Sequence, residues 1–481
     1  MHGKSVGNER VSVLLILLSG LVLRLIGLNQ SFWLDEAAQA IESSRSFVEQ
    51  FKLAADFQPP GYHLIVHTLV QFNRSEWWLR LSAVVPGVLT IYFTYLTAKR
   101  WGGEKVGKWA AMLLATSQFH IYYSQELRPY SLVALWGVMS LWAWDRFLIN
   151  KKWSWILVIT MMFGFYTMYL FGFLVLGTVV TTYLTRRKQL KLMLKHVVVA
   201  ILPFIFWLPQ LWQQVLGSRY LVENLPGWQE VVSLPLVKAL PLTVGKLLIG
   251  RVPFDFTLGK IILTAVMTGS VAILSWSVVR KSEQTSKFWL VVVPLLSVWL
   301  FSLMVPVIEP KRLMYLLPIV YGLVALGGKD KRWGGAVLTL IVLMNLTVTF
   351  SYYRFSYLKR EQWRQAVNFI ETEATPDTAV LFAFPEPFAP WQWYESKGVK
   401  AVTTQTLRVR KETNLNSLLA SLTGYRQVYV FEYLMDLTDP ERRVFAWLYD
   451  RGYQQREIKD FSGVGFVYLF EWPRFTANTS L

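Results

Sequence analysis

A polytopic α-helical membrane protein, with about eleven transmembrane helices and a C-terminal extracytoplasmic α/β domain, is the fold class that three properties of the sequence predict. The 481 residues are 53% hydrophobic and only 17% charged, where a soluble domain carries about a quarter charged residues. Apolar runs long enough for a bilayer, which needs roughly 17–25 residues per helix, recur up to Tyr353. The net charge of +18 is also unevenly placed: residues 1–353 hold 33 Lys and Arg against 16 Asp and Glu, whereas 354–481 hold 16 against 15. Such apolar content excludes a disordered chain. The absence of cysteine excludes disulfides, thiolate catalysis and Cys-ligated metal centres.

The expected spans are 11–28, 79–98, 107–124, 131–149, a pair within 153–184, 195–216, 258–279, 288–307, 313–327 and 333–352. The stretch 153–184 is too long for one crossing, so a break is expected near Tyr166–Phe171. Cytoplasmic loops are enriched in Lys and Arg. Basic clusters at Lys99–Lys108, Lys151/Lys152, Arg186–Lys195, Arg280/Lys281/Lys287 and Lys329–Arg332 fall on one side only if 153–184 crosses twice. Lys4 and Arg10 put the N-terminus on that side as well, so the chain after the last span lies outside. The basic surplus is thereby a topology signal for a multi-pass protein of the cell (inner) membrane and calls for no nucleic acid. The first run carries Arg24 and lacks a small-x-small site before Trp33, which predicts an uncleaved anchor. Arg24 itself is expected to snorkel or to pair with a buried acid.

The boundary falls at 353/354. Beyond it, helix-like 361–374, 413–422 and 440–451 alternate with strand-like 378–384, 426–432 and 463–470, the pattern of a small α/β domain. In the membrane part, the external loops carry the unusual residues. The first, 29–78, places the acidic pair Asp35–Glu36 directly behind the first span, where desolvation disfavours a bare carboxylate; Pro59–Pro60 then return the chain toward the membrane. The short loop 124–130, SQELRPY, sets Glu126 and Arg128 at two helix ends, either as a local ion pair or as a guanidinium held to grip a phosphate. The region 217–257 carries Arg219, Tyr220, Glu223, Lys246 and Arg251 and has room for an interfacial helix and a flap. IEPKR, 308–312, puts Glu309, Lys311 and Arg312 outside, against the positive-inside bias, and a lipid phosphate is one reason for cations there. His63 and His67 are spaced to share a helix face, as packing or interface histidines or as a metal pair.

The order Trp33-x-Asp35-Glu36, Pro59-Pro60-x-Tyr62, Arg80, YYSQELRPY and EPKR resembles the GT-C glycosyltransferases of the polyprenyl-phosphate-sugar type, which include protein O-mannosyltransferases and the aminoarabinose transferase acting on lipid A. The resemblance covers about residues 10–353. It implies Asp35, with Glu36 beside it, as the base or orienting group on the acceptor hydroxyl. Glu126 and Arg128, then Lys311 and Arg312, are implied to contact the donor, the cations at its phosphate; Tyr62 and Arg219 are further candidate substrate-binding residues. Some relatives bind a divalent metal, and Glu36, Glu126 and His63 are the candidate ligands should one be present.

The chemistry agrees with the residues. A sugar on a polyprenyl phosphate departs from a charged group, so cations are needed where phosphate charge develops. The attacking alcohol must lose its proton, which needs a carboxylate within hydrogen-bond reach. The resemblance therefore implies an inverting transferase that moves a sugar from a polyprenyl-phosphate donor to a glycan, lipid or protein acceptor, among membrane lipids and on the outer face. A transporter or flippase of lipid-linked sugars would want polar residues and broken helices at the bilayer midplane. A membrane-anchored glycan-binding protein would not need eleven spans.

Overall fold

The computed structural model describes residues 2–53, 56–225, 227–228, 233–250, 258–280, 284–355 and 358–473; Arg251 and Lys281 lie outside them. The chain forms two compact units. The first comprises Met1–Asn29, Glu42–Leu216 and Glu230–Leu358, the second Gln30–Ile41, Gly217–Gln229 and Lys359–Leu481.

The first unit is helical. Its early helices are α1 (His2–Leu25), α2 (Leu34–Ser44, shared with the second unit), α3 (Gly61–Val70), α4 (Glu76–Gly102), α5 (Glu104–Thr116), α6 (Gln118–Ser124) and α7 (Tyr130–Phe147). Next come α8 (Ser154–Thr167), α9 (Phe171–Thr185), α10 (Leu190–Ile201) and α11 (Leu208–Asn224). The set closes with α12 (Leu236–Ile249), α13 (Leu258–Val279), α14 (Thr285–Phe301), α15 (Leu317–Gly328) and α16 (Gly334–Arg354). By length and composition, Glu76–Gly102, Arg187–Asn224, Ile261–Val279, Pro310–Gly328 and Gly334–Arg354 are long and apolar enough to cross a membrane. The break expected near Tyr166–Phe171 falls between α8 and α9. The apolar run 107–124, by contrast, is interrupted: Ser117 takes an extended backbone (φ −60°, ψ 116°) between α5 and α6. The run 313–327 likewise begins as a 3₁₀ turn over Pro310–Leu316.

The interruption at Ser117 ends the helical ladder, leaving only the Ser117 N–H to reach back to Leu114 O (3.3 Å), and Arg24 supplies further donors. Its guanidinium donates to Ala115 O (3.2 Å), Leu114 O (3.4 Å) and Gly20 O (2.7 Å), and lies 2.6 Å from His120 Nδ1. Arg24 is fully buried. It therefore does not snorkel, and among the described residues it forms no ion pair with an acid, so neither expectation holds. A cation at a helix C-terminus is favoured by the partial charge there. Gln125 does the same for α1, donating to Leu23 O, Arg24 O and Ile26 O at 3.3, 3.1 and 2.7 Å. Gly61 starts α3 because an added Cβ would lie 2.5 Å from the Tyr166 carbonyl oxygen of α8.

In the second unit, strands β1 (Thr378–Phe382), β2 (Lys400–Thr403), β3 (Gln427–Phe431), β4 (Gln454–Phe461) and β5 (Gly465–Glu471) form one sheet in the order β2-β1-β3-β5-β4. β1 is parallel to β2 and β3, and β5 is antiparallel to β3 and β4. Alternation sorts the side chains: Leu381, Val428, Val430 and Phe470 pack on one face, Val380, Phe382, Tyr429 and Phe431 on the other. Helix α17 (Trp363–Glu373) covers the second face through Trp363 and Ile370. β2 and β4 were not expected. β2 has only four residues, and β4 (QQREIKDF) is exposed at every position but Phe461, so neither shows an apolar alternation. The chain leaves β1 for one side of the sheet and reaches β3 on the other, so the carboxyl ends of β1 and β3 form a topological switch point, the usual ligand crevice of such sheets.

Phe470 is fully buried, its ring 5.4 Å from those of both Phe445 and Tyr449. Phe470→Ala should cost about 3–5 kcal/mol, read as faster hydrogen exchange of β3 and β5 amides; a loss below about 1 kcal/mol would contradict this packing.

Candidate functional site

Asp35 and Glu36 stand in the first turn of α2, and Glu36 is fully buried. The five residues before Asp35 are gripped by the end of the chain. Arg360 N–H donates to the Gln30 side-chain oxygen (2.8 Å), and Phe32 N–H donates to the Tyr394 hydroxyl (2.6 Å). The Ser31 hydroxyl donates to the Glu361 carbonyl. The Phe32 ring sits 5.8 Å from Trp393, and Leu34 packs on the face of the sheet that holds Trp363 and Phe431. Trp363 stacks on Phe431 at 5.1 Å and meets Tyr433 at 4.9 Å. Tyr433 follows the carboxyl end of β3, so residues 30–34 pack on the same face of the sheet as the aromatic side chains that lead to that end.

Glu361 lies at the heart of this contact. Its carboxylate accepts from Trp363 Nε1 (2.7 Å) and from the Tyr433 hydroxyl (3.3 Å), and it faces the Leu34 backbone N–H. Desolvation pushes this carboxyl up to about 7; the charge of Asp35 adds to the rise, and the Trp363, Tyr433 and Leu34 donors oppose it. Burial, with the charges of Glu361 and Asp35, also holds the Tyr433 phenol well above its ordinary value.

In the first unit the predicted cations gather at the start of α7. Tyr130 has Lys311, Arg128, Glu309 and Glu126 as charged neighbours, and Lys311 Nζ lies 5.8 Å from its ring. Lys311 is 3.1 Å from Glu309, and Arg312 is 3.9 Å from it while donating to Val307 O (3.1 Å). Glu126 is buried. Arg128 Nη1 lies 3.6 Å from Asp56 Oδ2. The sequence reading did not single out Asp56, yet it is a hub: His63 Nε2 is 3.0 Å away, and Gln58 donates at 2.7 and 2.9 Å. Burial alone would raise this carboxyl, but Arg128, His63 and Gln58 outweigh it and hold it well below the usual carboxylate range. The Gln214 amide ties the loop down, donating to Leu53 O (2.5 Å), Asp56 O (2.6 Å) and Gln58 O (3.1 Å).

Other predicted residues are placed differently. The Tyr62 hydroxyl is buried 2.7 Å from Ser82 Oγ. Arg219 is exposed on α11. His63 and His67 both turn toward Ser43: His67 Nδ1 is 2.9 Å from its carbonyl oxygen and His63 Nδ1 3.4 Å from its hydroxyl. With Nε2 on Asp56 as well, His63 has both ring nitrogens engaged. Among the described residues no group of three or more His, Asp and Glu side chains could hold a metal ion, so no catalytic step is assigned to one.

Residues 58–212 match the family described as dolichyl-phosphate-mannose-protein mannosyltransferase. ArnT from Cupriavidus metallidurans in the apo state superposes with a TM-score of 0.61 at 12% identity, over 97% of this chain and 98% of that one. The chain has the GT-C fold. The same ArnT bound to undecaprenyl phosphate gives 0.58 at 13% identity, over 98% of each chain. A second GT-C protein, the archaeal oligosaccharyltransferase AglB from Archaeoglobus fulgidus in complex with an inhibitory peptide and a dolichol-phosphate, gives 0.53 at 14%, over 98% of this chain and 75% of that one. No curated protein matches the sequence significantly.

Within this GT-C chain, Asp56→Asn should lower stability by about 1–3 kcal/mol at pH 7, since it strips a partner from buried donors. Because the folded carboxyl is depressed, its contribution is complete above the ordinary carboxylate pKa and is lost only as pH falls below it. Unfolding of the full-length protein and the variant should therefore differ most above pH 5 and converge in acid; a gap that grows in acid would refute the pairing.

Proposed function

We propose that the chain is an inverting glycosyltransferase that carries a sugar from a polyprenyl-phosphate donor to an acceptor hydroxyl on the outer face of a cell (inner) membrane. The observation that carries this reading is the set of cations around Tyr130, Arg128 and Lys311 with Arg312 one residue on, in a chain with the GT-C fold. Such fixed positive charges are what a departing phosphate needs, since they stabilise charge that grows in the transition state without reorganising to do so. The undecaprenyl phosphate bound to ArnT and the dolichol-phosphate bound to AglB support a lipid phosphate as this chain's leaving group.

In this mechanism Asp35 accepts the proton of the attacking hydroxyl, and Glu36 beside it orients the acceptor. The hydroxyl oxygen bonds to the anomeric carbon as the bond from that carbon to the phosphate oxygen breaks, and the electron pair leaves with the polyprenyl phosphate. One displacement inverts the anomeric centre. Arg128, Lys311 and Arg312 hold the phosphate, and Glu126 lies in the same charged group. Arg219 contacts substrate from its exposed position, and Tyr62, its hydroxyl near Ser82, is a further substrate-binding residue of this reading. Residues 1–353 form the catalytic membrane part with a cytoplasmic N-terminus, and 354–481 form an extracytoplasmic domain. The acceptor is a glycan, lipid or protein hydroxyl.

The test is transfer by the full-length protein in nanodiscs, offered polyprenyl-phosphate-linked hexoses and pentoses. Asp35→Asn should reduce turnover by about 10²–10⁴ with an unchanged unfolding midpoint; near-normal turnover would remove Asp35 as the base. Arg128→Ala should weaken donor use about ten- to a hundredfold, the loss expected for a charged hydrogen bond, and leave acceptor dependence almost untouched. Equal weakening of both would count against a phosphate role.

A further inference from the structure

We propose that Glu361 is a positioning residue of the transferase site, its carboxyl capping the first turn of α2 and so fixing Asp35 one residue further along. The inference rests on the reading of Asp35 as the base and assigns the end of the chain a part in the chemistry. Three hydrogen bonds close on residues 30–32: from Arg360 N–H to Gln30, from Ser31 to the Glu361 carbonyl, and from Phe32 N–H to Tyr394; two residues on, the Leu34 N–H faces the Glu361 carboxyl. Leu34 is the first residue of α2, and its N–H has no partner within the helix. A carboxyl oxygen at that point faces this donor in either protonation state, so the cap does not depend on the negative charge. The position of the Asp35 backbone is thus set by the last third of the sequence.

The groups facing the Glu361 carboxyl come from three directions. Asp35 approaches from α2, Tyr433 from the loop after β3 and Trp363 from α17. The turn between β4 and β5 brings Gly463 against the side chain, so close that a Cβ there would lie 2.9 Å from Glu361 Cγ, and adds no charge. Arg360 and Arg364 flank Glu361 on its own segment.

Because desolvation and Asp35 lift this carboxyl to about 7, the clamp is sensitive to pH in a fixed direction. When residues 30–41 lift away, Glu361 reverts toward its ordinary value near 4.5. A raised carboxyl stabilises the closed clamp in full below that ordinary value. The contribution is lost as pH rises to about 7, and above 7 nothing further changes.

The experiment is hydrogen exchange of the full-length protein in nanodiscs from pH 5 to 8.5, corrected for intrinsic rates and read on peptides covering 30–41 and, as a control, β1 and β3. Protection of 30–41 should fall roughly tenfold per pH unit up to about 7 and then level off, with β1 and β3 unchanged. Glu361→Gln should keep the segment protected and abolish the slope. Glu361→Ala should lower its protection at pH 6 about tenfold or more, and should lower kcat while leaving the donor KM within about twofold. Tyr433→Phe, which removes a donor to the ionised form, should carry the slope to higher pH. A flat wild-type profile, the same slope in Glu361→Gln, or an equal loss of protection in β1 and β3, which marks a merely structural role, would each overturn the proposal. None of these exchange readouts depends on turnover, so active Asp35→Asn would overturn the base assignment without touching the clamp.

Discussion

Backbone groups inside an apolar bundle must be paired within the protein, because no water is there to receive them. In this chain that rule centres on Arg24. The helix that could have run from Glu104 to Ser124 stops at Ser117, and the carbonyls of Leu114 and Ala115 turn to a guanidinium on α1. With those carbonyls satisfied, α6 can leave at its own angle and deliver Gln125, Glu126 and Arg128 to the start of α7. Gln125 then closes the end of α1 in return. A buried arginine thus underwrites the geometry of the short loop on which the proposed phosphate grip depends.

The charges follow a consistent logic at the two places where they are unusual. Around Tyr130 cations are held among acids, with Arg128 facing Asp56 and Lys311 facing Glu309. Such pairing keeps the positive groups in place, and under the proposed function an incoming phosphate would exchange one anionic partner for another. In the second unit the arrangement is reversed. Two acidic residues, Asp35 and Glu361, lie close enough for the charge of one to raise the other, and neutral donors from Trp363, Tyr433 and Leu34 carry the load. One place is suited to holding negative charge that comes and goes, the other to holding a proton that does.

Much of this was legible in the sequence because it depends on local pattern. Apolar length anticipated a helical membrane part, though not the breaks at Ser117 and over Leu202–Trp207; the excess length of 153–184 located the break after Thr167, and β-branched and aromatic runs located β1, β3 and β5. The GT-C resemblance rested on residues in order along the chain, and of the cations it pointed to, Arg128 and Lys311 both neighbour Tyr130. What could not be read depends on contacts distant in sequence. Arg24 meets carbonyls about 90 residues away, and no periodicity reports that. Asp56 looks like an ordinary loop acid until folding brings His63 and Arg128 to it. Its nearness to the Pro-Pro-x-Tyr segment was the one available signal. Glu361 sits at the start of a helix-like stretch with nothing to mark it as facing Asp35. β4 was invisible because its side chains are polar on both faces.

That last strand has a consequence for assembly. An open sheet invites another chain to add a strand along its border, and charged side chains are a common way to prevent it. Here one border is Gln454–Phe461, studded with Arg456, Glu457, Lys459 and Asp460, and the other is β2, only four residues long. Neither offers a partner a continuous apolar ladder. The domain is built to remain solitary along both margins of its sheet, so copies of this protein that meet must do so through helices or side-chain surfaces rather than by extending the sheet.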